Sequence, residues 1–184
     1  MPNRAVPDRP HVSIRFSAAE IASRVDVMAG ELAQQLPPDT LVVSVLKGSF
    51  VFAADLIRAL SRAHADWAMD FLTLSSYGTG TQTSGNVRIV RDIVDEVRGR
   101  DVLLVDDILE SGFTLSFAKN LLKERGARKI WVCTLLDKPS KRRTELKADF
   151  VGFEAGDEFL VGYGLDWAHR FRGLPYIGVV EKTN

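Results

Sequence analysis

The run from residue 102 to residue 114 restricts the fold more than any other part of this chain. Val102, Leu103, Leu104 and Val105 form an unbroken apolar block, closed by Asp106 and Asp107 and followed by Glu110, Ser111, Gly112 and Thr114. A short apolar block bounded by polar residues predicts a strand over residues 101–105 that is covered on both faces. Residues 114–125 then carry a helical pattern ended by Gly126, a residue that readily takes the left-handed conformation past a helix C-terminus. Strand, short loop, helix and a further strand at residues 129–136 make a βαβ unit. Such a unit buries its apolar surface only inside a layered α/β sheet.

The flanking segments agree. Ser17 and Glu20 match a capping box, and Ile21, Val25, Met28, Leu32 and Leu36 recur at helical spacing until Pro37 and Pro38 stop the helix. The apolar run Leu41–Leu46 predicts a second buried strand, Phe50–Arg62 a helix, and the alternation over residues 67–75 a strand. Residues 76–86 are all turn formers and read as a long lid or binding loop, with a short strand at residues 87–90 behind it. The architecture expected is α/β with a mostly parallel sheet.

After Asp137 the texture changes. A basic, polar stretch at residues 139–147 leads to strand-like pieces at residues 149–153, 159–163 and 176–180. These read as a small hood from about residue 138 to 184, joined by N-terminal residues, beside a core of about residues 17–137. With 184 residues in all, the whole chain 1–184 is expected to be one domain.

Composition narrows the function classes. Lys plus Arg number 24 and Asp plus Glu number 24, so there is no basic excess of the kind a dedicated nucleic-acid binder shows. The single Cys133 lies in an apolar stretch and reads as a small buried hydrophobe. His11, His64 and His169 share no zinc-ligand spacing. No stretch approaches the roughly 20 apolar residues of a membrane helix, and the Pro- and Arg-rich start has no secretory core, so a cytoplasmic setting is expected.

The chemistry sits where strand meets helix. An isolated Asp-Asp is most often a solvated strand end. Here the next residues also place successive backbone N–H groups and the Ser111 and Thr114 hydroxyls at a helix N-terminus, a ready anion site. Open α/β sheets bind ligands beyond the carboxyl ends of their strands, where this loop falls. An acid pair beside a phosphate cradle suits a ligand with hydroxyls or a cation together with a phosphate, and a sugar phosphate meets both demands. The glycine-lysine pair of a Walker loop is missing, and Gly78 and Gly80 lie in a polar loop without the third glycine of a dinucleotide fingerprint.

The run resembles the phosphoribosyl-pyrophosphate motif of the type I phosphoribosyltransferases, and within them the hypoxanthine-guanine branch. The similarity extends from Leu46-Lys47-Gly48 to the C-terminus, through Asp149–Glu154, Val161–Asp166 and Phe171-Arg172. It implies a mostly parallel central sheet flanked by helices, with a C-terminal hood and a mobile lid. It also implies Mg²⁺ as cofactor, phosphoribosyl pyrophosphate and a 6-oxopurine as ligands, and assembly as a homodimer or homotetramer, for which apolar positions in Phe50–Leu60 would serve. By the same resemblance Asp106 and Asp107 would hold the ribose hydroxyls, directly or through Mg²⁺. Glu110, Ser111, Gly112, Phe113 and Thr114 would bind the 5′-phosphate. The Leu46-Lys47-Gly48 turn, commonly with a cis peptide before the lysine, would meet pyrophosphate together with Arg172, under a lid carrying Ser76 and Tyr77. Lys138 would contact the purine's exocyclic oxygen, Phe159 would stack on the base, Leu160 would offer backbone groups, and Asp166 would take a second Mg²⁺.

Plainer readings stand beside these: Lys47 as a strand-end charge, Phe159 as a core aromatic, Lys138 as one charge among Lys141, Arg142 and Arg143. The general base expected next to the purine is Glu110, where the family usually has Asp, and Phe113 replaces a basic or small residue. Two other functions fit the fold: an RNA-binding regulator, and a phosphoribosyltransferase for another base such as orotate, adenine or xanthine. The neutral charge weighs against the first and the segment 159–166 against the second.

Overall fold

The computed structural model describes residues 10–77 and 86–181. Six strands build the main sheet in the order β4-β3-β2-β5-β6-β7, namely Asn86–Arg91, Met69–Tyr77, Leu41–Leu46, Asp101–Leu109, Lys129–Asp137 and Phe150–Glu154. All neighbours run parallel except β3 and β4. From β2 the chain proceeds to one side and from β5 to the other, so the order reverses between these two strands. That is the position where a crevice opens above the carboxyl ends of a doubly wound sheet.

The sheet is buried on both faces. Val42, Leu103 and Val105 point towards helices α1 (Ala18–Gln35) and α2 (Phe50–Arg62). Leu41, Val43, Val102 and Leu104 point towards α3 (Phe113–Glu124). In α1 the predicted capping box forms, with the Glu20 N–H donating to Ser17 Oγ and the Ser17 N–H donating to Glu20 Oε2. Its residues Ile21, Val25, Met28 and Leu32 are buried, and so are Phe52, Leu56 and Leu60 of α2. Each such side chain stabilises the fold by about 1.5–3 kcal/mol. Only Phe50, 46% exposed, is left on the surface among the large apolar residues of α2, so the apolar helix face expected to join subunits is mostly core.

A separate three-stranded antiparallel sheet, β1-β9-β8, forms the hood from Val12–Phe16, Ile177–Val180 and Leu160–Val161. Three boundaries differ from expectation. β5 runs on through both aspartates to Leu109, because β6 pairs with it as far as Leu109↔Asp137. β7, expected in the hood, extends the main sheet on β6, and Arg24 of α1 donates to the carbonyls of Val151 and Gly152. Ser76 and Tyr77, expected on the lid, end β3 and pair with Val87 and Asn86 of β4. The rest of that loop, residues 78–85, lies outside the described residues.

Cys133 is wholly buried, and burial raises its thiol pKa, so it packs as a hydrophobe. Among the described residues no helix is long and apolar enough to cross a membrane.

Candidate active site

Two adjoining cavities open at the point where the strand order reverses. One, about 240 Å³, is lined by Asp106 to Gly112 together with Thr114 and Leu115. The other, about 560 Å³, is lined by Gly48, Asp107, Ile108, Glu110, Lys138, Phe159, Leu160, Leu165, Asp166 and Arg172. Asp107, Ile108 and Glu110 are common to both. A larger cleft of about 710 Å³ lies elsewhere, against the hood, and no carboxylate lines it.

The smaller cavity is an anion cradle. Gly112 caps α3 with φ +88°, and the N–H groups of Ser111, Gly112, Phe113 and Thr114 donate to no acceptor among the described residues. Left-handed and helical residues in succession turn such N–H groups to a common point, and the helix dipole adds positive potential there. The carbonyls of this loop are drawn the other way. Arg142 donates from Nε to the Glu110 carbonyl at 2.9 Å and from Nη2 to the Leu109 carbonyl at 3.1 Å, while the Arg143 N–H donates to the Ser111 carbonyl at 3.0 Å. Arg142 is itself fixed by an ion pair with Asp137. Sequence reasoning missed this residue, because in the row Lys141-Arg142-Arg143 nothing marks the one side chain that turns inward.

Asp106 and Asp107 are each 8% exposed, and the Asp107 N–H donates to Asp106 Oδ1 at 3.0 Å. Burial raises the pKa of both. For Asp106 the negative charge of Asp107 adds to that rise, whereas for Asp107 hydrogen bonds and the positive charge of Arg172 oppose it. Neither carboxylate is in a salt bridge among the described residues, so the buried pair, offset only in part by the nearby charge of Arg172, is open to a cation or to hydroxyl donors. Among the described residues no cluster of three or more His, Cys, Asp or Glu forms a ready-made metal cage.

The turn after β2 closes against this pair. The Leu46-Lys47 peptide is cis. Ser49, wholly buried, links its Oγ to Ser44 Oγ at 2.7 Å and donates to the Val45 carbonyl, which fixes the turn from below. A Cβ at Gly48 would stand 1.9 Å from Asp107 Oδ2. Gly48→Ala is therefore expected to cost about 1–3 kcal/mol through overpacking, read as a lowered urea midpoint. An unchanged midpoint would show that the Asp107 carboxylate moves aside freely. Lys47 is exposed, and it is Gly48, rather than Lys47, that lines the cavity.

The far wall of the larger cavity belongs to the hood side. Phe159 is 54% exposed, presenting ring surface to the opening, and Leu160 is held in β8 opposite Val179. Lys138 is only 4% exposed. Its N–H donates to the Leu109 carbonyl at 3.0 Å, and its Nζ donates to the Glu158 carbonyl at 2.8 Å and to Glu110 Oε1 at 3.3 Å. Asp166 pairs with Arg172 at 2.6 Å and accepts from the His169 N–H at 2.7 Å, and Arg172 also donates to the Gly164 carbonyl. Asp106, Asp107, Glu110, Ser111, Gly112, Thr114, Lys138, Phe159, Leu160, Asp166 and Arg172 thus line the two joined cavities.

A model of the phosphoribosyl transferase domain family matches residues 18–167. Over 174 residues the chain is 48% identical to the hypoxanthine-guanine phosphoribosyltransferase of Bacillus subtilis (strain 168), spanning 92% of this chain and 93% of that protein. It is 42% identical over 172 residues to the hypoxanthine phosphoribosyltransferase of Escherichia coli (strain K12), spanning 92% and 95%. A crystal structure of a hypoxanthine-guanine phosphoribosyltransferase from Bacillus anthracis, with HEPES in its active site, superposes with a TM-score of 0.87 at 40% identity. That superposition covers 94% of this chain and 100% of the other.

Proposed function

This chain belongs to the phosphoribosyl transferase domain family, in its hypoxanthine-guanine branch, and on that premise we propose how its two cavities divide the reaction. The 5-phosphoribosyl group passes from phosphoribosyl pyrophosphate to N9 of hypoxanthine or guanine, giving IMP or GMP and pyrophosphate. The observation that carries the assignment is the shared wall: Asp107, Ile108 and Glu110 border both the anion cradle and the hood-side cavity. A ribose seated on that wall puts its 5′-phosphate in one compartment and its C1′ in the other.

In this reading the free N–H groups of Ser111 to Thr114 bind the 5′-phosphate, and Asp106 and Asp107 take the ribose hydroxyls. The cis turn at Lys47 and Gly48, with Arg172 and with Ser76 and Tyr77 at the end of β3, faces pyrophosphate. Phe159 stacks on the purine, Lys138 donates to its 6-oxygen, Leu160 meets its edge, and Glu110 accepts the ring proton released as N9 bonds to C1′. Asp106 and Asp107 would hold one Mg²⁺, and Asp166, whose oxygens here serve Arg172 and the His169 N–H, a second. The ion, when bound, stabilises the charge that builds on departing pyrophosphate. Arg172 adds fixed positive charge at the same end of the cavity. Assembly into a homodimer or homotetramer would follow the family, with the exposed Phe50 at the start of α2 as one apolar position available to it.

The purified chain, with Mg²⁺ and phosphoribosyl pyrophosphate, should turn over hypoxanthine or guanine and leave adenine untouched. Xanthine completes the panel. Absence of turnover with all four bases would sink the proposal.

A further inference from the structure

Resting on the reading just given, we propose that the Glu110–Lys138 ion pair is an interlock: Glu110 is released to act as base only when a purine bearing a 6-oxygen takes its place on Lys138. The buried ammonium has three N–H donors. One is committed to the Glu158 carbonyl at 2.8 Å, a backbone group that cannot leave without moving the hood-side loop. Another goes to Glu110 Oε1 at the longer distance of 3.3 Å. The Lys138 side chain is 5% exposed and that of Glu110 50% exposed, so the carboxylate is the accessible member of the pair at the cavity wall. A purine oxygen that reached Nζ would stand against the carboxylate oxygen on the same ammonium. Repulsion between them is relieved when Glu110 swings away.

Nothing else need move. The Glu110 carbonyl is pinned by Arg142 and the Lys138 N–H by the Leu109 carbonyl, so the backbones on both sides are fixed and the change is confined to the Glu110 side-chain torsions. Once free, the carboxylate accepts the imidazole proton while N9 bonds to C1′ and the C1′–O bond to pyrophosphate breaks. The proton ends on Glu110 and the electron pair on pyrophosphate. Recognition of the 6-oxygen is thereby tied to availability of the base. The reach of glutamate is what permits it, since aspartate at residue 110 would be one methylene short of Lys138.

The pair opposes binding of the 6-oxygen, so removing it should favour ligands that carry that oxygen. Calorimetric titration would compare IMP with purine riboside 5′-monophosphate, which lacks only the 6-oxygen, on the unmodified chain, on Glu110→Gln and on Glu110→Asp. Any new contact to the imidazole edge is common to both ligands and cancels in the ratio of their affinities. That ratio should rise in favour of IMP by up to about fivefold in each variant, the scale of a half-exposed ion pair. A ratio that is unchanged or falls overturns the interlock while leaving the phosphoribosyl reading intact. If neither nucleotide binds the unmodified chain, both readings fail.

Discussion

Glu110→Gln is expected to lower kcat for hypoxanthine by about 10² or more, the range lost when a positioned general base is removed. The substitution keeps the size of the side chain and its place in the common wall of the two cavities, and takes away the capacity to hold a proton together with the charge that pairs with Lys138. Because the Glu110 carbonyl is anchored by Arg142 and the following loop by the Arg143 N–H, the 5′-phosphate cradle should be undisturbed. KM for phosphoribosyl pyrophosphate should therefore stay within about twofold, since the substitution removes none of the backbone N–H groups that bind its 5′-phosphate. Rapid-quench measurement of a single turnover separates the chemical step from nucleotide release. A chemical step as fast as that of the unmodified chain would remove Glu110 from the mechanism, and the ring proton would then leave by way of water.

The helices and buried strands were legible because their signals are local. Ser17 and Glu20 lie three residues apart on one turn, and the two apolar runs Leu41–Leu46 and Val102–Val105 need no knowledge of their partners to be recognised as covered on both faces. The phosphate cradle was legible for the same reason, since all its donors come from one loop. What failed depended on distant pairing. Asp106 and Asp107 have poor strand propensity and looked like a terminus, but β6 alongside them continues the ladder, and tertiary pairing overrides the local preference. Residues 149–153 read as part of the hood because they follow a basic stretch; the place of β7 is set by β6, through Cys133↔Phe150 and Asp137↔Glu154. Arg142 and the Glu110–Lys138 pair were hidden likewise. Residues 28 apart meet only because β5 and β6 end side by side, and no periodicity records that.

The second large effect concerns the acidic pair, where function and stability pull in opposite directions. Burial raises the pKa of Asp106 and of Asp107, and for Asp106 the neighbouring carboxylate raises it further. The folded chain thus binds protons more tightly at this site than the unfolded chain does. Between the ordinary carboxylate range and the raised values, the folded state carries more protons than the unfolded state, so stability falls as pH rises through that window. Above it the penalty is present in full. Asp106→Asn removes the charge while its Oδ1 can still accept from the Asp107 N–H, so at neutral pH the variant should melt higher than the unmodified chain. Each kcal/mol recovered appears as about 2–4 °C in Tm for a chain of this size, and the melting profile should flatten above the carboxylate range. The same change removes a charged partner for the ribose hydroxyls and the cation, each such hydrogen bond being worth about 1.5–3 kcal/mol. kcat/KM should accordingly drop by about 10²-fold. A variant that melts lower at neutral pH would mean that the carboxylate charge is compensated in the free protein after all.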